Sequence, residues 1–228
     1  MNHINKNGIW VIGDVHGEYE KLLNLIEKLP KDAQICFTGD LVDRGESSAN
    51  VIELMLNSNY HAVLGNHELM MLESTIDSDK DYMWKVNGGE EALSSYEQFG
   101  KEVWNSHFEY LKTLPYFKYY EIDGYKPLVV SHSYIHHVWI NKYHEYCKYD
   151  GEDILWRHMH DKSLFEADKE IENDIYNIFG HTPIKEPIIT DRYAMIDTGA
   201  TYNKSGYGRL SAIHYPSLTV VQSKNINA

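Results

Sequence analysis

The sequence is short of cysteine, of basic residues and of long apolar runs. Two Cys in 228 residues cannot build a disulfide framework, and Cys36 lies in the apolar run QICFTG, where a reduced, buried thiol is expected. Any metal site must therefore draw on nitrogen and oxygen ligands, and 13 His are present to supply the nitrogen. The basic deficit is the larger one: 21 Lys+Arg stand against 34 Asp+Glu, a formal net charge of −13. An acidic surface repels phosphodiester backbones and anionic lipid, so neither nucleic acid nor a membrane is expected as a partner. No apolar stretch approaches the roughly 18 residues of a membrane span, and no signal peptide precedes the first strand-like segment. A soluble, cytoplasmic protein is expected. What is present, 43% hydrophobic, 13% aromatic and 24% charged residues, is the composition of a folded chain.

The N-terminal third alternates short apolar runs with amphipathic stretches, the rhythm of β-α-β units in a partly parallel sheet. Strands are expected at Gly8–Ile12, Gln34–Thr38 and Tyr60–Leu64. The first helix is expected at Tyr19–Leu29, stopped by Pro30. A second begins near Ser47 or Ser48, either able to cap it, with Val51, Ile52 and Leu56 as its apolar stripe. Residues from about 68 to 114 read as a helical insertion broken at Gly88-Gly89. Beyond it come strand candidates at Phe117–Ile122, Leu128–Ser131, Ile175–Phe179, Ile188–Thr190, Tyr193–Ile196, Leu210–His214 and Leu218–Gln222. With no repeat and no linker, one domain over 1–228 is expected.

Chemistry gathers at the carboxyl ends of the expected strands, where open α/β sheets place their ligands. Gly13-Asp14-Val15-His16-Gly17 offers two ligands on the same side of extended backbone. Gly39-Asp40-Leu41-Val42-Asp43-Arg44-Gly45 offers two carboxylates and a guanidinium. Gly65-Asn66-His67-Glu68 places a neutral amide before an imidazole, and His132 and His181 each follow an apolar strand run. Asp14, His16, Asp40, Asn66, His132 and His181 exceed what one tetrahedral ion takes and include no thiolate, so two ions fit better. Such ions sit about 3.5–4 Å apart and need a bridging carboxylate.

These segments resemble the metal-dependent phosphoesterases, and within them the phosphoprotein phosphatase family, whose signature GDxHG, GDxVDRG and GNHE occurs here in order as GDVHG, GDLVDRG and GNHE. SHS, GHTP and IDTGA also match, and the likeness runs from Ile9 to about Tyr207, nearest to the compact bacterial and bacteriophage-lambda-type serine/threonine protein phosphatases. The resemblance implies an α/β fold, a four-layer αββα sandwich of two mixed sheets. It implies two divalent ions, Mn²⁺ or else Fe or Zn, with Asp14 and His16 on one, Asp40 bridging, and Asn66, His132 and His181 on the other. It implies attack by a metal-bridging hydroxide, His67 as general acid and Asp43 holding His67 protonated and oriented. Arg44, Asn66 and Arg157 would contact the phosphate.

The function so implied is hydrolysis of phosphomonoesters, on Ser and Thr of proteins and also on Tyr, with a phosphorylated protein or a small phosphomonoester as substrate. The alternative is a dinucleoside polyphosphate hydrolase acting on diadenosine tetraphosphate; the symmetrical enzymes of that kind usually lack the Asp-Arg pair of GDLVDRG. A non-catalytic metal-binding adaptor would require eroded ligands, and the set is intact. Asp197 in IDTGA is read either as a group fixing a ligand His or as a turn residue. His136-His137 and His158-Met159-His160 match no motif position and are expected on solvated surface. The Tyr-rich segment from Tyr116 to Tyr149 is expected to pack against the sheet.

Overall fold

The computed structural model describes residues 2–4, 7–135, 153–158 and 175–225. Its two mixed sheets are flanked by helices. The first sheet takes β2 (Ile9–Ile12), β3 (Ile35–Phe37), β4 (His61–Ala62), β10 (Ser211–Tyr215) and β11 (Val220–Gln222), in the order β11-β10-β2-β3-β4. Strands β2, β3 and β4 are parallel, and β10 runs antiparallel to β2. The second sheet takes β1 (Asn2–Ile4), β5 (Phe117–Ile122), β6 (Leu128–Ser131), β7 (Tyr176–Phe179), β8 (Ile188–Ile189) and β9 (Tyr193–Met195), in the order β1-β5-β6-β7-β9-β8. Here β6, β7 and β9 are parallel.

The strand period of two sets which side chain meets which layer. Ile9, Val11 and Cys36 point between the sheets and join Val130, Ile178, Ala194 and Ile213 in one buried cluster. Their neighbours Ile12, Ile35 and Phe37 point the other way, onto α1 (Tyr19–Ile26) and α2 (Ser48–Leu56), contributing Leu22, Leu25, Val51 and Ile52. Buried on that scale, each Leu or Ile contributes about 1.5–3 kcal/mol. The far face of the second sheet is covered, among the described residues, by Ile135 and by Ile154 of a short 3-10 turn at Asp153–Leu155. Cys36 is buried with no disulfide, and burial pushes its thiol up to about 12.

Between β4 and β5 lie α3 (Asn66–Glu73), α4 (Ser78–Trp84), α5 (Glu90–Ser95) and α6 (Lys101–Leu111). Asp77 caps α4, accepting from the backbone N–H groups of Asp79 and Lys80. A π-helical turn at Lys85–Gly89 joins α4 to α5, and the break expected at Gly88-Gly89 falls there, with Gly88 at φ +108°. A side chain at Gly88 would also meet the backbone of Arg44.

Several expectations are corrected. In α2 the buried stripe is Val51, Ile52 and Met55, whereas Leu56 is 39% exposed: one residue past Met55 turns about 100° away from the core. Neither serine caps that helix with its side chain; Ser47 holds the N-cap position without such a bond, and the Ser48 hydroxyl accepts from Asp43 N–H. Helix α1 stops at Ile26, and β4 has two residues, with Val63 N–H still donating to Phe37 O and the outward Leu64 N–H donating to Pro115 O. Strand β1 carried no signal, being three residues at an edge. His136, His137, His160 and all of the Tyr-rich segment after Ile135 lie outside the described residues.

Candidate metal centre

Six strand ends build the site. Asp14 follows β2, Asp40 follows β3 and Asn66 follows β4 from the first sheet, while His132 follows β6, His181 follows β7 and Asp197 follows β9 from the second. The backbone there is forced. Of the six non-glycine residues with positive φ among those described, five are His16, Asp40, Asp43, Arg44 and His181. Each such conformation costs about 1–3 kcal/mol. The strain is held by packing at close range: a Cβ on Gly65 would fall on the Asp40 carboxylate, and one on Gly180 on Asp14 Oδ1.

Glu68, which the sequence did not single out as functional, holds the Asp40 loop. Its fully buried carboxylate accepts from the N–H groups of Asp40 (2.8 Å), Leu41 (2.7 Å), Val42 (3.1 Å) and Gly65 (2.9 Å). Burial and the nearby Asp40 push it up to about 7, against the pull of those donors. The signal was adjacency, since Glu68 completes GNHE.

Asp40 lies at the centre. One group of ligand atoms within 4.8 Å of each other comprises His16, Asp40 and His67, and a second comprises Asp40, His132 and His181. His16 Nδ1–H donates to Val42 O at 3.0 Å and His132 Nδ1–H to Thr38 O at 2.9 Å, which leaves each Nε2 a lone pair facing the centre. His132 Nε2, Asn66 Oδ1 and His181 Nδ1 converge at 2.7 to 3.0 Å from one another. Asp40 Oδ1 is 3.4 Å from that His132 nitrogen, and Asp40 Oδ2 is 3.5 Å from His16 Nε2. Lone-pair donors packed this closely on neutral imidazoles suit a divalent cation. Burial lowers His132, drives His16 well below its usual value and takes His181 down to about 3, so all three favour the unprotonated form that binds metal.

Asp14 stands beside both groups, with Oδ1 accepting from the Thr38 hydroxyl and Oδ2 from His181 N–H, each at 2.9 Å. Burial, then the Asp197 and Asp40 carboxylates, raises it well above its usual range. Asp197 accepts from Gly199 N–H and is pushed up to about 7 by its burial. Asp14, Asp40 and Asp197 are at most 3% exposed and repel one another, an arrangement that calls for positive charge between them.

His67 is held differently from the other imidazoles. Its Nδ1 is 2.7 Å from Asp43 Oδ2, and both Asp43 oxygens accept from the indole N–H of Trp84, at 2.9 and 3.0 Å. Burial alone would lower His67, but Asp40 and Asp43 raise it above its usual value. Arg44 spans the first group, one guanidinium nitrogen 2.8 Å from His16 Nε2 and the other 2.8 Å from His67 Nε2. Trp84 had no signal in the sequence, being 41 positions from Asp43.

The 3-10 turn brings a further segment to His181. Arg157 N–H donates to Ser133 Oγ, next to His132. Trp156 stands edge-on to His181 with ring centres 6.4 Å apart. His158, expected on solvated surface, is exposed, yet its ring packs 4.6 Å from His181.

The match to known proteins agrees with this construction: the calcineurin-like phosphoesterase family model covers residues 8–209. The chain belongs to the calcineurin-like phosphoesterases. That places it in a family of metallophosphoesterases, hydrolases that use divalent metals, and the two His/Asp groups are suited to hold them. This calcineurin-like phosphoesterase is 29% identical to the bis(5'-nucleosyl)-tetraphosphatase PrpE (asymmetrical) of Bacillus cereus strain AH820, over 92% of each chain. The namesake protein of Bacillus anthracis strain CDC 684 / NRRL 3495 matches to the same extent. A solved structure assigned as a diadenosine tetraphosphatase superimposes with a TM-score of 0.64 at 19% identity, covering 100% of this chain and 99% of that one. A protein serine/threonine phosphatase from Saccharomyces cerevisiae gives 0.64 at 14%, covering 100% and 84%. These two structural likenesses speak to the fold.

Proposed function

We propose that the protein hydrolyses bis(5'-nucleosyl) tetraphosphates, of which diadenosine tetraphosphate is the simplest test case, and cleaves them asymmetrically to a nucleoside monophosphate and a nucleoside triphosphate. The observation that carries this is the likeness to tetraphosphatases over 92% of both chains, which leaves little of either outside the match. On sequence motifs the Asp43-Arg44 pair favours a serine/threonine protein phosphatase; the full-length relatives favour the tetraphosphatase.

In this reading Asp14, His16 and Asp40 would hold one divalent ion, and Asp40, Asn66, His132 and His181 would hold the other. Bound there, the ions supply an acidified water and neutralise charge on the phosphoryl oxygens. The residues do the rest. Arg44, beside His16 and His67, adds positive charge at the phosphoryl group, with Arg157 as a second clamp and Asn66 as a further contact. His67, its Nδ1 proton held by Asp43, would take a second proton on Nε2 once the Arg44 guanidinium turns from that nitrogen to the phosphoryl group, and deliver it to the leaving oxygen. Burial of Asp43 and its bond to Trp84 fix the ring in that orientation.

A second reading, phosphomonoester hydrolysis on proteins, is favoured by the same Asp43–His67 pair, because an alkoxide leaving from Ser or Thr needs a proton more than a phosphate does. One panel separates the two: protein supplemented with Mn²⁺, assayed on diadenosine tetraphosphate, a phosphoserine peptide and a chromogenic phosphomonoester, each with and without chelator. The expected result is the highest kcat/KM on the tetraphosphate, with mono- and triphosphate products. A phosphopeptide preferred by tenfold or more would overturn it.

A further inference from the structure

Among the described tryptophans, Trp10 and Trp104 are half-buried, Trp84 is 1% exposed, and Trp156 is left 46% open to solvent. A Trp in the core removes 150–250 Å² from water, so a tryptophan left half in solvent forgoes much of that gain. Its placement gives the reason a direction. Residues 153–155 form a 3-10 turn pinned by Ser133, whose hydroxyl donates to Ile154 O and accepts from Arg157 N–H. Ser133 follows His132 directly, so the turn is anchored to the strand end that supplies the second ligand group. From that anchor Trp156 lies one ring beyond His181, edge-on at 87°, with exposed His158 on the same imidazole.

We infer that Trp156 is a stacking platform for a nucleobase of the substrate, and so a residue that makes the site select nucleotides over bare phosphates. The inference rests on the tetraphosphatase reading of the same site. An aromatic one ring removed from the ligand group suits a base that ribose and phosphate separate from the reacting phosphorus. The ring of a phosphotyrosine is joined to the phosphorus through the ester oxygen alone and has no such spacer. A π-face accepts any base, so little discrimination between adenine and guanine is expected.

The test measures binding to the metal-loaded protein by calorimetry, with two ligands that resist turnover: α,β-methylene-ADP and methylenediphosphonate, which share the diphosphonate and differ in the nucleoside. Wild type should favour the nucleotide by at least about fivefold, the lower end of a base–aromatic stack. Trp156→Ala should abolish that preference and Trp156→Phe should retain most of it. The methylenediphosphonate titration on the same sample reports whether the site is folded. A preference that survives Trp156→Ala, or none in wild type, overturns the inference. So does a Trp156→Ala loss confined to a phosphotyrosine peptide. Turnover of diadenosine tetraphosphate by wild type is read separately: its absence, with the Trp156-dependent preference intact, defeats the tetraphosphatase reading and not the platform.

Discussion

His67 is a member of one candidate ligand group by distance and a proton donor by its partners, and the two roles differ in what its loss removes. For the donor role, His67→Asn should lower kcat by about 10²–10⁴ while bound metal, counted by atomic emission, stays near wild type. Parallel loss of metal would make it a ligand. The drop should be larger on a chromogenic phosphomonoester with a poor leaving group than on diadenosine tetraphosphate, whose departing phosphate is a weaker base. Trp84 acts one bond further out. Trp84→Phe keeps the buried ring and removes the N–H shared by both Asp43 oxygens, so a carboxylate with 0% exposure loses a donor. Oδ2 keeps His67 while Oδ1 is left without that donor, and an unsatisfied buried acceptor costs about 1–3 kcal/mol. The expected outcome is a lower melting temperature together with a kcat reduced by about tenfold and KM little changed, read by thermal denaturation and steady-state kinetics.

At the scale of elements, the α2 helix separates packing from pattern. Met55 is 2% exposed against the first sheet's helical face, and Leu56 is 39% exposed. Met55→Ala should therefore cost about 2–5 kcal/mol, and Leu56→Ala should stay within about 0.5 kcal/mol; urea unfolding of the two variants checks both. Strands β2, β3 and β9 were legible because each is an apolar run closed within two residues by Gly or Asp, at Gly13, Gly39 and Asp197, whereas β1 offers no such run. Boundaries were less so. Tertiary bonds such as Leu64 N–H to Pro115 O fix where the chain leaves β4, and no local pattern encodes them. The three motifs marked Asp14, His16, Asp40, Asn66 and His67 because ligands at strand ends are close in sequence to the turn that presents them. Trp84 was not legible as a site residue, since it reaches Asp43 across 41 positions by a packing that no spacing betrays. Glu68 stood in plain view, but its role as acceptor for four backbone N–H groups exists only once the loop is folded.

For the molecule as a whole, burial singles out five of the 34 acidic residues among those described, Asp14, Asp40, Asp43, Glu68 and Asp197, and all five lie at or beside the centre. Ions bound there stabilise the native state by mass action, since the unfolded chain has no preformed site. Chelation should abolish activity and lower the melting temperature, and stepwise Mn²⁺ should restore both; scanning calorimetry alongside an activity assay reads the pair. A melting temperature indifferent to Mn²⁺ would remove the two groups as resident metal sites. No helix among the described residues is long and apolar enough to cross a membrane.

The division of the site between the two sheets has a consequence for any fragment of this chain. The segments GDVHG, GDLVDRG and GNHE all end strands of the first sheet, whereas His132 and His181 end strands of the second. An N-terminal half would therefore display every signature motif and still hold only Asp40 of the second ligand group, with Asn66 beside it. Assembly of the second ligand group must wait until the sheets have docked, so uptake of a second ion during refolding would time that docking.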